Sequence, residues 1–184
     1  MKPKYARATL LAALYVPQGL IRGFLTVAFA AHLLETGIAD SVVSALIGTA
    51  LLPWSFKLIW GPIVDAMPLR WLRGRRRPWV LVGQLGMITC LAAIALIDTP
   101  EGAISTLTLL FFSCNIFISI QDVATDALAI DIAPADELGF VNRSMLLAQM
   151  GAQAVGAAGT ALLIEQAGFS AAVASLVLIL LALL

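Results

Sequence analysis

Charge is what this sequence holds least of. Only 12% of its 184 residues are charged, and Lys plus Arg match Asp plus Glu at 11 each, so the formal net charge is zero. A nucleic-acid partner calls for a clustered basic excess, and this balance excludes one. There is a single histidine, and the two cysteines, Cys90 and Cys114, stand far apart inside apolar runs. Metal-ligand spacing is therefore missing, no cofactor is expected, and the cysteines read as small buried apolar groups rather than a disulfide. Neither a serine elbow nor a phosphate-cradling glycine loop occurs, which removes the common catalytic signatures. Long polar stretches are missing too, and with them any room for a soluble domain. What fills the chain is apolar: 61% hydrophobic residues and a mean hydropathy of +0.98 lie outside the mix of soluble globular domains. The fold class to expect is an all-α membrane protein.

A helix crosses a hydrocarbon core about 30 Å thick in about 20 apolar residues. Six stretches meet or approach that length, near 9–31, 41–63, 79–97, 104–130, 142–164 and 170–184, with short connectors such as ETGIAD, IDTPEG and EQAGF between them. Lys2, Lys4, Arg7, Arg70, Arg73, Arg75, Arg76, Arg77 and Arg143 all fall on one side of that alternation, and Glu35, Asp40, Asp98, Glu101 and Glu165 on the other. Lys and Arg in short loops stay cytoplasmic, so a cytoplasmic amino terminus is expected, in the inner membrane if the source is bacterial. MKPKYAR followed by an apolar run and AFA at 28–30 imitates a cleavable signal peptide. Pro17, Gln18 and Arg22 interrupt the apolar region where a signal sequence stays greasy, which favours a retained first helix.

Several polar groups lie inside the spans. A charged side chain at the helix centre costs roughly 2.5 kcal/mol or more on insertion scales, so it persists with a partner or a task. Arg22 stands about two thirds of the way across the first span, where it either snorkels or meets an anion. Lys57 and Asp122 lie at similar depth on spans running the same way, within reach of pairing. Asp122 and Asp126 share one helical face, with Gln121 and Thr125 on the adjoining stripe. Asp131 is out of phase with them and belongs to the helix end. Two carboxyls so close disfavour joint ionisation, a property that suits proton exchange, while a structural gate accounts for them as well. Gln149 and Gln153 either face a solute or bond neighbouring helices. Gly151, Gly156 and Gly159 form an expected packing stripe, and Pro17 and Pro53 are expected kinks.

Between the second and third spans runs WGPIVDAMPLRWLRGRRRPW, residues 60–79. Any cytoplasmic loop carries arginines and interfacial tryptophans such as Trp60, Trp71 and Trp79. That rule leaves Gly61 and Asp65, and Gly74 directly before Arg75, Arg76 and Arg77, without a reason. Their order resembles the loop signature of the major facilitator superfamily between transmembrane helices two and three, with Ala66 where a basic residue usually follows the aspartate and with a longer linker. Taken with LYVPQGL at 14–20, LPWSFKLIWGPIVD at 52–65, GRRRPW at 74–79 and QDVATDALAIDIAP at 121–134, the chain looks like the AmpG-type muropeptide permeases and the related acetyl-coenzyme A transporters. Glu137, Leu138, Gly139 and Asn142 keep the glycine and asparagine of the turn that follows in that branch, without its arginine.

The resemblance implies twelve helices in two halves, each built of two inverted three-helix repeats, with a solute cavity between the halves. Residues 1–184 then correspond to the amino-terminal six-helix half, and the carboxy-terminal half is expected in a longer reading frame or as a second copy. It also implies a secondary active transporter, proton-coupled, that moves an anionic or amphiphilic solute such as a muropeptide or a coenzyme A derivative by alternating access. Arg22, Gln149 and Gln153 are its solute candidates. Lys57, Gln121, Asp122 and Asp126 are the candidates for proton coupling or the gate, and Gly61, Asp65, Gly74, Arg75, Arg76, Arg77 and Asp131 form the loop motif. The partners are lipid and a small solute, without a metal. A half-size transporter or an assembly subunit stands as the alternative. An intramembrane aspartyl enzyme is disfavoured, since such sites need carboxyls from separate helices and Asp65 sits at a span end.

Overall fold

The computed structural model describes residues 3–67 and 74–184, and every regular element among them is helical. Lys2, Arg70, Trp71 and Arg73 lie outside the described residues. The first rod joins α1 (Pro3–Gly23), a π-helical segment (Phe24–Phe29) and α2 (Ala30–Glu35). The winding change has a visible purpose. Residues five apart on an α-helix diverge by about 140°, but i to i+5 winding returns them toward one side. Phe24 and Phe29 are both fully buried, their ring centroids 5.9 Å apart, and both pack on Phe111 and Phe169. The rod ends in a Schellman turn: the Ile38 amide donates to the Leu33 carbonyl, the Gly37 amide donates to the Leu34 carbonyl, and Gly37 takes φ +87°.

The second rod is α3 (Asp40–Leu51), a 3-10 segment (Leu52–Phe56) and α4 (Lys57–Ala66). Pro53, the second residue of the 3-10 segment, has no amide proton for the α-helical ladder, which is interrupted there. The bend expected there is thus a change of winding, whereas Pro17 stays inside an unbroken α1. Then follow α5 (Arg77–Ala95), α6 (Ile104–Ile132), α7 (Leu138–Ala167) and α8 (Phe169–Ala182). Only Gly168, at φ +87°, separates the last two.

Among the described residues five helical rods are long and apolar enough to cross a membrane: Lys4–Glu35, Asp40–Ala66, Arg77–Ala95, Ile104–Ile132 and Leu138–Ala167. The sixth expected span, 170–184, corresponds to α8, which has 14 residues. The chain is an integral multi-pass membrane protein, and α8 is a further apolar helix.

α1 packs along α7, α6 against α3 and α4, and α5 against α6 and α8. Membrane helices lack a hydrophobic drive toward one another, so close backbone approach carries the association. Along α1 and α7 that approach is made by Gly19 and Gly23, four residues apart, and by Gly156. A Cβ on Gly19 would collide with the Gln149 carbonyl, on Gly23 with the Gln153 carbonyl, and on Gly156 with the Leu20 carbonyl. The packing stripe expected on Gly151, Gly156 and Gly159 is therefore corrected. Only Gly156 of the three meets a neighbour within 4 Å, because the other two lie on different faces of α7. Outward faces stay apolar: Leu58 on α4 is 89% exposed and Leu147 on α7 is 69% exposed.

Candidate functional site

A row of polar side chains runs along one side of the bundle at mid-depth. Asp122 lies about 15 Å from the arginine-bearing end of α6, and Lys57 about 13 Å from the matching end of α4, so their levels agree. The Lys57 ammonium contacts the Asp122 carboxylate, and it also reaches Asp126 Oδ2 at 3.2 Å. Asp126 in turn accepts a hydrogen bond from the Tyr15 hydroxyl of α1. The two acids differ in surroundings: the Asp122 side chain is 3% exposed, that of Asp126 45%. One lysine thus offsets the cost of a buried carboxylate and holds a second, open one.

Trp54 extends the row. The 3-10 segment turns its indole inward, where Nε1 donates to Asn115 Oδ1 at 3.1 Å. The Lys57 ammonium lies 5.9 Å from the ring centroid and the Arg22 guanidinium 5.5 Å, both at cation–π range. No carboxylate pairs with Arg22 among the described residues. Arg22 is exposed on the same side as Lys57, at a depth where water does not ordinarily solvate it. What the row offers chemically is a guanidinium without a carboxylate partner among the described residues, a lysine shared by two carboxylates and an aromatic ring within cation–π range of both cations.

Beneath it, a chain of amides crosses four helices. Gln149 Nε2 donates to Gln18 Oε1 at 3.0 Å, Gln18 Nε2 to Gln121 Oε1 at 2.6 Å, and Gln121 Nε2 to the Leu14 carbonyl at 2.8 Å and Gln84 Oε1 at 3.3 Å. Gln18, Gln84 and Gln121 are buried. A chain of this kind ties the α1 and α7 pair to the α5 and α6 pair, since each broken link would leave a polar group in an apolar interior.

The arginine-bearing end has its own network. Arg76, preceding α5, pairs with Asp65 of α4 and, through Nε at 3.3 Å, with Asp131 at the end of α6. Burial works against the charge on Arg76, but Asp65 and then Asp131 outweigh it and hold the guanidinium above its ordinary value. Arg75 donates to the Asp65 carbonyl. Gly74 sits at φ +101°, a conformation that L side chains rarely adopt, immediately before these arginines. Arg7 of α1 bonds Glu137 before α7 at 2.5 Å. Among the described residues no group of acids, histidine and cysteines is arranged to hold a metal.

The BT1 family profile matches residues 18–137, which hold most of this polar row and the whole loop motif. The chain belongs to the BT1 family. Relatives of this BT1-family chain include a Haemophilus influenzae protein, 32% identical over 60% of this chain and 25% of that protein. A folate-biopterin transporter of Synechocystis sp. is 33% identical over 69% of this chain and 24% of its own length. The anhydromuropeptide permease of Escherichia coli (strain K12) is 30% identical over 52% of this chain and 18% of its own length. The matched stretch thus spans about a quarter or less of these curated relatives. No solved structure matches the chain at a significant level.

Within the BT1-family chain, the residues singled out by sequence fall into separate places. Lys57, Asp122 and Asp126 come together, while Gln121 enters the amide chain beside them. Asp65, Arg75, Arg76 and Asp131 meet at the end of the bundle. Gly61 meets no described atom within 4 Å of where its Cβ would stand, so its smallness serves no contact here. Gln149 Nε2 donates to Gln18 Oε1 between helices, and the Gln153 backbone carbonyl abuts Gly23. Sequence reasoning missed Tyr15, Gln18, Trp54, Gln84 and Asn115. GLIRG at 19–23 was a readable signal for the α1 glycines, because residues four apart share a helix face.

Proposed function

We propose that this protein is a membrane transporter of the major facilitator type, in which Arg22 and Lys57 engage an anionic or amphiphilic solute and the Asp122 and Asp126 pair exchanges a proton. The observation that carries the reading is the shared lysine: Lys57 contacts both carboxylates and, with Arg22, which has no carboxylate partner among the described residues, lies within cation–π range of one tryptophan. Protonating either acid loosens one hold on Lys57, so proton and anion binding become linked at a single cation. The relatives' printed names give solute classes to test, an anhydromuropeptide and a folate or biopterin.

The helix pairings support an inverted three-plus-three repeat within a six-helix half. Exchanging the first three rods for the last three turns the α1 and α7 contact into the contact of α6 with the second rod, and both occur. Exposed Leu58 and Leu147 suit lipid or a second half, from the same chain or another copy. A cytoplasmic arginine-bearing end, and with it a cytoplasmic amino terminus, follows from the positive-inside rule. The deciding experiment is uptake of radiolabelled anhydromuropeptide, folate and biopterin into liposomes holding the complete protein, with and without an inward proton gradient. Gradient-driven uptake of one of them that is lost in Arg22→Ala and Lys57→Ala supports the reading. Uptake indifferent to the gradient and to both substitutions refutes it.

A further inference from the structure

The two acids of the polar row are not equivalent, and a cleft beside one of them makes the difference chemical. An open cleft of about 410 Å³ is lined by Tyr15 of α1, Asp126 and Ile130 of α6, and Asn142, Met145 and Leu146 of α7. It lies on the half of the bundle toward the arginine-bearing end, since Ile130 is in the last turn of α6 and Asn142 in the first turns of α7. Asp126 borders the cleft and Asp122 does not. Asp126 is held from two sides, by the Tyr15 hydroxyl at Oδ1 and by Lys57 at Oδ2, 3.2 Å away. Asp122, almost wholly buried, pairs with Lys57 and lies within reach of the Tyr15 hydroxyl and of Asp126 on its own helix, but it has no border on the cleft. The charged and titratable groups facing Asp126 are therefore Tyr15 from α1, Lys57 from α4 and Asp122 on its own helix, with uncharged Asn142 opposite on α7.

Resting on the reading that this acid pair exchanges a proton, we propose a division of labour. Asp126 is the carboxyl that takes up and releases the proton through the α6 and α7 cleft, Asp122 is the fixed counter-ion of Lys57, and Tyr15 is the positioning residue that holds Asp126 toward the cleft. The geometry gives each part a reason. A carboxylate fixed by a phenol on one oxygen keeps its second oxygen for the lysine, and its position stays open to water entering the cleft. When Asp126 takes a proton, Lys57 loses one of its two counter-ions and keeps the other, so it remains neutralised by Asp122 through the exchange. A single shared acid would leave the lysine unpaired at that moment, which is costly at this depth. Asn142, carried on the opposite wall, is the polar group through which cleft water approaches.

Modification by dicyclohexylcarbodiimide, an apolar reagent that adds to membrane carboxyls, tests this on the complete protein in liposomes, with the adduct located by peptide mass mapping. The expected adduct is on Asp126, at least tenfold above Asp122. Tyr15→Phe keeps the ring and removes only the hydroxyl, and it is expected to change Asp126 labelling several-fold while Asp122 stays unlabelled. Asp126→Asn is expected to abolish the response of anhydromuropeptide, folate or biopterin uptake to a proton gradient. An adduct on Asp122 in place of Asp126, or Asp126 labelling identical in Tyr15→Phe and the unsubstituted protein, overturns the division. In either case gradient-driven uptake by the unsubstituted protein leaves the transport reading standing. Uptake that ignores the gradient in the unsubstituted protein overturns both.

Discussion

Replacing Gly23 by alanine adds one methyl group to the molecule and places it where no room exists. The new Cβ would collide with the Gln153 carbonyl oxygen and stand 2.7 Å from the Ala157 amide nitrogen and 2.9 Å from the Gln153 carbonyl carbon, where ordinary contact begins at 3.4 Å. All three are backbone atoms, so no rotamer change relieves the overlap and the α1 and α7 rods must separate. Overpacking of this kind costs about 1–3 kcal/mol, and rigid neighbours put it at the upper end. Alanine returns about 1 kcal/mol through its better helix propensity. The net loss is about 2 kcal/mol, roughly a 30-fold fall in the folded to unfolded ratio at about 1.4 kcal/mol per tenfold. Gly151→Ala is the matched control, on the same rod system with nothing within 4 Å of its Cβ. It gains the propensity without the clash. Titrating the detergent-solubilised protein with denaturing detergent, followed by tryptophan fluorescence, should place Gly23→Ala below the parent and Gly151→Ala at or above it. If Gly23→Ala proves as stable as Gly151→Ala, the glycine contact does not hold these rods together and the packing argument fails.

Three further outcomes follow from the polar groups. Lys57→Met removes the counter-ion of buried Asp122; broken buried pairs lose about 3–5 kcal/mol, and the low end applies because the lysine is 34% exposed. Adding Asp122→Asn should restore most of that loss in a double-mutant cycle of thermal unfolding, and a purely additive cycle would deny the pairing. Gln18→Leu strips Gln121 of a donor and Gln149 of its acceptor, so thermal unfolding in detergent should record a loss of about 1–3 kcal/mol. A loss below a few tenths would mean the amide chain does not tie the helices. Arg7→Ala gives up a part-buried pair with Glu137, worth the upper end of about 0.2–1 kcal/mol, and the difference from the parent should shrink as salt is raised.

The rods could be read from sequence because apolar runs of this length have one stable form in lipid, where every backbone group must bond within its own helix. The ends of the first and fifth rods fall at Gly37 and Gly168, which with Gly74 are the described glycines at positive φ. Lys57 and Asp122 could be paired from depth alone, since two charges at one level inside a membrane have few other options. Tyr15 and Trp54 gave no such sign. An aromatic residue in an apolar span reads first as packing or an interfacial anchor, and only the 3-10 segment after Pro53 turns Trp54 toward Asn115. Gln149 could not be assigned to Gln18 from spacing, because the partner lies 131 residues away and depends on how two rods face each other. Five rods among the described residues have the length and hydropathy of a span, and the sixth expected span coincides with the apolar helix α8.

The π-helical segment of the first rod has an effect beyond seating two phenylalanines. It divides the rod into two lengths whose angular settings are uncoupled, as a spliced shaft lets each end be clocked separately. The portion through Gly23 is oriented by the glycine contacts with α7 and by Tyr15, while the portion from Ala30 is oriented by the aromatic cluster and the turn at Gly37. Selection can therefore rotate the half that carries Tyr15 and Arg22 by altering residues near Gly19 and Gly23 without misaligning the far end of the same helix.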